Sequence, residues 1–156
     1  RLAWERLGYA PKNLDFTLVD LSTGKRQYMR TTPGYTFRLG MGETRRRFKV
    51  VVEPRSKAPL QVRHVRAQAL GDRAGWQVGF LLTRPAVTHI ELLSPTGKRL
   101  AVLESGQARA AGLQSVVWNG RLQSGALLPR GPYLLRIRAR DDEGREVQAV
   151  GTTLVR

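Results

Sequence analysis

Short runs in which apolar and polar residues alternate recur along the whole chain, separated by clusters of Gly, Pro, Asn and Asp, and they predict β-strands. Leu14–Asp20 places Leu14, Phe16, Leu18 and Asp20 on one face and Asp15, Thr17 and Val19 on the other. Arg26–Thr31 returns from a hairpin turn at Ser22–Lys25, and Tyr35–Leu39 follows a second turn at Pro33-Gly34. Beyond a Gly-rich charged loop, Gly40–Arg46, the strand Arg47–Glu53 sets Phe48, Val50 and Val52 to one side. Leu2–Leu7 reads as a further strand anchored by Trp4. The segment Glu53–Pro59 has no period and two prolines, which makes it a short, stiff connection.

Beyond that connection seven more strands are expected: Leu60–Leu70, Gly75–Thr83, Val87–Leu93, Arg99–Leu103, Leu113–Trp118, Tyr133–Arg140 and Glu146–Val155. Turn signals fall between them, at Gly71-Asp72, Arg84-Pro85, Pro95–Gly97, Asn119-Gly120, Pro129–Gly131 and Asp141–Gly144. Glu104–Ala111 comes nearest to a helical segment, and Gly106 and Gly112 make it a loop. The expected fold is therefore all-β, with two sandwich-type, immunoglobulin-like units in tandem: residues 1–54, a linker at 55–59, and a seven-stranded sandwich at 60–156. About five strands in the first unit are too few for two complete sheets, so that unit is expected to leave an edge open to a strand from elsewhere.

Several segments of the second unit have a recognisable order. Ile90–Lys98 is a strand running into a Gly turn, Gly112–Arg121 is a strand ending in Trp118, Asn119 and Gly120, and Gly125 and Leu128–Tyr133 lead into the strand that carries Tyr133. In this pattern residues 86–156 resemble the immunoglobulin-like domain of the flagellar hook-capping family, and the C-terminal sandwich modules of large secreted bacterial proteins. Asn119 stands where the family pattern has Asp, and Pro132 where it has a strand former, so the strand is expected to begin one residue later or to lie at an edge. The resemblance implies a sandwich fold and an extracellular or cell-surface setting. Hook capping does not follow from it, because such modules are appended to many proteins. The structural residues in this pattern are Trp118 in the core, Asn119-Gly120 as a type I′ turn, Gly131 as a reversal and Tyr133 at the head of a buried strand face; alternation along Gly75–Thr83 adds Trp76, on one face with Val78, Phe80 and Leu82.

The 156 residues contain no cysteine, which excludes disulfides and thiolate metal sites, and no apolar run nears the ~18 residues of a membrane-spanning helix. The chain opens at Arg1, so it is expected to be a processed product or a piece of a longer one. The formal net charge is +15, most of it from arginine, which favours contact with polyanions. Arg45, Arg46 and Arg47 flank the Gly-rich loop. Arg136, Arg138 and Arg140 form an every-second-residue ladder with Arg63 and Arg66 as candidate neighbours. Like charges so arranged repel, so the ladder should meet carboxylates, another chain or a polyanion. The aromatic residues fit inward positions, which argues against nucleic acid and reads the tryptophans as core rather than sugar-stacking platforms; acidic polysaccharide is the other candidate polyanion.

No catalytic constellation stands out. His64 and His89 are isolated, both Gly-Lys pairs fall in hairpins, and Asp141–Gly144 reads as a solvated acidic tip with no calcium-loop spacing. No enzyme activity and no cofactor are expected. The expected role is structural or adhesive, through self-association or another surface protein. The alternatives are an accessory module of a larger secreted enzyme or polysaccharide-handling protein, or a polyanion-binding module.

Overall fold

The computed structural model describes residues 1–5, 7–71 and 75–156. The chain is all-β, with antiparallel sheets packed together and no α-helix among the described residues. Its strands are β1 (Leu2–Ala3), β2 (Leu14–Asp20), β3 (Arg26–Tyr28), β4 (Gly34–Tyr35), β5 (Phe48–Pro54), β6 (Val62–Leu70), β7 (Gly75–Leu82), β8 (Ala86–Leu93), β9 (Arg99–Arg109), β10 (Gly112–Trp118), β11 (Gly131–Arg140) and β12 (Glu146–Val155).

The last seven strands form two facing sheets, β10-β7-β6 and β12-β11-β8-β9. Lettered A to G in chain order, A, B and E share one sheet, while C, F and G share the other with the fourth strand. That is an immunoglobulin-like order with its fourth strand moved across. Alternation supplies the core: Val78, Phe80 and Leu82 of β7 meet Ile90 and Leu92 of β8 and Tyr133, Leu135, Ile137 and Ala139 of β11, all buried. The Tyr133 hydroxyl donates to the Pro129 carbonyl at 2.9 Å, pinning the approach to β11 as a tyrosine corner does. The sandwich closes at an irregularity in the pairing of β6 with β7. The register shifts between Arg63 and Arg66, His64 takes φ +54°, and the bulge delivers Val65 against Gly151 of β12.

The first 54 residues form a three-stranded sheet, β3-β2-β5, and a two-stranded ribbon, β1-β4. Phe16, Leu18 and Asp20 of β2 share a face with Val52, Val50 and Phe48 of β5, directly opposite them. At one end of that face Tyr35, Phe37 and Phe48 stack with ring centroids 5.0–6.2 Å apart.

Several expected boundaries shift. The strand expected over Leu2–Leu7 stops at Ala3, because the Trp4 indole turns to donate to the Met29 carbonyl and a 3-10 turn forms at Leu7–Tyr9; Arg6 lies outside the described residues. The Arg30 guanidinium holds that turn by donating to the carbonyls of Leu7, Ala10, Pro11 and Leu14, which ends β3 at Tyr28. Tyr35–Leu39 is a strand only at Gly34–Tyr35. Glu104–Ala111 is not a loop: β9 runs on to Arg109, and Gly106, at φ +70°, is absorbed as an irregularity in its pairing with β8. Asn119-Gly120 is not a type I′ turn, since only Gly120 has positive φ; the Asn119 side chain instead accepts from the Arg121 N–H. Pro132 lies inside β11, which there pairs with β12 alone, so its missing N–H falls on an unpaired side. The expected turn at Gly71-Asp72 includes Asp72, outside the described residues.

Candidate functional site

The two arginine groups fare differently. Arg46 turns inward, its side chain 10% exposed, and donates to both Asp20 carboxylate oxygens at 3.0 and 2.8 Å and to Glu43 at 2.9 Å. Arg46 is the main reason the Asp20 carboxyl sits far below its ordinary range, with the Ser22 N–H and Tyr35 hydroxyl adding to it. Glu43 is also lowered, first by the Gly40 N–H and then by Arg46. This ion pair ties the Gly-rich loop to the end of β2. Arg45 and Arg47 stay exposed and, among the described residues, form no ion pair.

On the outer face of the four-stranded sheet the ladder meets a carboxylate. Glu91 of β8 is buried opposite Arg136, which donates to it at 2.9 and 2.6 Å; Arg99 reaches it at 3.4 Å, and Arg138 stands 3.8 Å away. Burial would raise the Glu91 carboxyl, but the Arg136 bond and the surrounding guanidinium charges outweigh it, and the group lies below its ordinary value. The Arg138 Nε is buried without a hydrogen-bond partner among the described residues, and Arg140 is exposed. Both border a polar hollow of about 200 Å³ with His89 and Glu146. Arg63 and Arg66 are not neighbours of the ladder, since β6 belongs to the other sheet.

The residues singled out for structural roles sit as follows. Trp76 and Trp118 are directly opposite across β7 and β10, and Trp118 packs against the core. Gly120 is buried, and any Cβ there would come within 3.4 Å of the Trp76 ring. Gly131 starts β11 at φ +144°. His64 is exposed at the β6 bulge, and the His89 Nδ1 accepts from the Gly106 N–H at 3.2 Å. In the acidic tip Asp141 is occupied within its own hairpin, accepting from the N–H groups of Glu143 and Arg145 and from the Arg145 guanidinium.

One side chain that links the first sheet to the sandwich carries no signal in the sequence. Arg55 sits in what reads as a polar linker, yet its side chain is only 10% exposed. It donates to Asp15 of β2 at 2.9 Å and to Asp142 and Glu143 at 2.7 and 2.8 Å, the latter two at the tip joining β11 and β12. The Tyr28 hydroxyl, 3.1 Å from Arg55, donates to Asp15 at 2.7 Å, and burial together with that carboxylate raises it well above the ordinary phenol range. Burial would lower the Arg55 guanidinium, but its bonds to Glu143 and Asp142 raise it. This clasp joins the first sheet to the sandwich beside a cavity of about 200 Å³ whose lining includes Asp15, Tyr28, Glu53, Thr83 and Arg84.

The sheets also end in open edges. Among the described residues β5 pairs with β2 alone and β10 with β7 alone. Val50 and Val52 are each 50% exposed, Leu113 83% and Val117 65%. The Arg55 N–H donates to Asn13 and the Arg47 carbonyl accepts from Leu21, so the odd-numbered residues of β5 direct their peptide groups to β2. By alternation the peptide groups of Val50 and Val52 face away from the sheet. Pro54, in the same phase, loses no ladder bond by lacking its N–H. No family model matches the chain and none of the curated proteins matches it.

Proposed function

We propose that the chain is a non-catalytic structural or adhesive module of a bacterial surface or extracellular assembly, which joins other chains by strand pairing and serves as a subunit of a filament or lattice. The observation that carries this reading is β5, an edge strand with half-exposed valines and outward peptide groups. Unpaired apolar edges attract further strands unless they are blunted. β10 offers a second edge, and two separate contacts per molecule are what a repeating assembly requires. The extracellular setting is supported by the resemblance of residues 86–156 to modules of secreted bacterial proteins. Sedimentation and electron microscopy of the purified chain over a wide concentration range test the reading. Concentration-dependent assemblies are expected, and a monomer at every concentration overturns it.

A second reading, contact with acidic polysaccharide, is favoured by Arg45, Arg47 and Arg140, which are exposed without ion pairs among the described residues, and by the unsatisfied Nε of Arg138. Retention on heparin with a steep salt dependence supports it, and loss of retention at low salt counts against it.

A further inference from the structure

We infer that β5 pairs antiparallel with β5 of a second copy, about a two-fold axis at Val51, joining two three-stranded sheets into one of six strands. This rests on the strand-pairing reading above and names the strand, the partner and the register.

Residues 49–53 read Lys-Val-Val-Val-Glu, a segment whose charges are self-complementary under antiparallel reversal. With Val51 opposite Val51 of the second copy, Lys49 falls opposite Glu53 of that copy, and Glu53 opposite its Lys49. Both side chains are exposed and, among the described residues, neither forms an ion pair. Val50 falls opposite Val52 of the second copy, and the reverse. These are the residues whose peptide groups face outward, so each such pair exchanges both its N–H···O=C bonds. The charged pairs then occupy non-hydrogen-bonded positions, where opposed side chains come closest. Shifting the register by one residue sets the outward peptide groups against inward-directed ones. Shifting it by two one way sets Lys49 against Val51 and Glu53 against Arg47, and the other way sets Glu53 against Val51 and Lys49 against Arg55, so neither gives Lys49 a carboxylate.

The faces agree with the phase. Val50 and Val52 share a face with Phe16 and Leu18, so the pairing gathers four half-exposed valines beside an existing apolar surface. Lys49, Val51 and Glu53 lie on the other face, where two ion pairs flank the central valines. At the strand's end Pro54 offers a carbonyl but no N–H, so the ladder stops there. A symmetric contact of this kind closes on itself, so extension into a filament needs a second edge such as β10.

The test uses the full chain at ~0.15 M salt, where screening over about 8 Å limits repulsion between two basic molecules. Sedimentation equilibrium compares the parent with Lys49→Glu, Glu53→Lys and the double swap, and circular dichroism confirms that each is folded. Each single reversal turns two attractive cross-strand pairs into repulsive ones and is expected to weaken dimerisation about tenfold or more. The double swap is expected to restore it. In the dimer the amides of Val50 and Val52 should exchange with deuterium far more slowly than at dilutions where the chain is monomeric. A dimer insensitive to the single reversals, or a double swap that fails to restore association, overturns this register and leaves strand pairing through another edge intact. A monomer at all concentrations overturns both.

Discussion

Replacing Gly151 by alanine tests how the sandwich is closed between β6 and β12. Gly151 is not in the left-handed region, so the effect is steric. An added Cβ would lie 2.6 Å from the Val65 Cγ1, 3.0 Å from its Cβ and 3.1 Å from its carbonyl oxygen. A χ1 rotation of Val65 could remove the first of these clashes but not the other two, so the two strands must part by several tenths of an ångström. Overpacking of this kind costs about 1–3 kcal/mol. Reduced freedom of the unfolded chain returns about 0.4–1 kcal/mol. Because two of the three contacts are to atoms that no rotamer change moves, the overpacking cost falls in the upper part of its range, about 2–3 kcal/mol. The net is a loss of about 1–2.5 kcal/mol, or a fall in Tm of about 2–10 °C for a chain of this size. Urea and thermal denaturation followed by circular dichroism measure it. In a Val65→Ala background the penalty should shrink by about 0.5 kcal/mol or more, since part of the obstruction is gone. A G151A protein as stable as the parent would refute the close approach of β6 to β12 as the seal of the sandwich.

Arg55→Met leaves the partly buried Asp15 and Asp142 without their counter-charge, at a cost of about 2–3 kcal/mol after allowing for the exposure of Glu143. Calorimetry should then resolve the first sheet melting before the sandwich, and one unchanged transition would contradict the clasp. Tyr133→Phe orphans the Pro129 carbonyl and should cost about 1 kcal/mol in urea denaturation. Asp20 and Glu91 are both held below their ordinary values, so the folded state binds fewer protons than the unfolded one in acid. Their contribution is complete above the unfolded carboxylate pKa of about 4 and is lost as pH falls below it; a Tm that stays level from pH 6 to pH 2 would contradict this. On a heparin column, Arg45→Gln and Arg140→Gln should elute at lower salt with the fold intact, whereas Arg46→Gln should mainly lower Tm.

Alternation made most of the second unit legible. β11 buries Tyr133, Leu135, Ile137 and Ala139 and turns Arg136, Arg138 and Arg140 outward, as period two requires. The same rule missed the second half of β9, because a glycine inside a strand and one that ends it look alike until the pairing partner is known. Three consecutive arginines gave no hint that Arg46 alone is taken up internally, since its partner Asp20 is far off in the chain. Arg55 was invisible for the same reason: its acceptors are 40, 87 and 88 residues away. The expected proximity of Arg63 and Arg66 to the ladder failed because alternation assigns a face within a strand, not a sheet among strands.

The Arg55 clasp has a mechanical consequence. A guanidinium is planar and rigid, and its nitrogens are fastened to carboxylates from opposite sides of the junction. A pull on the first sheet therefore reaches the sandwich through this cross-brace as well as along the backbone of the connection. Two points of attachment share the load, and the junction resists twisting that a single covalent strand would allow. The brace therefore sets the angle at which the first sheet and its open β5 edge stand to the sandwich.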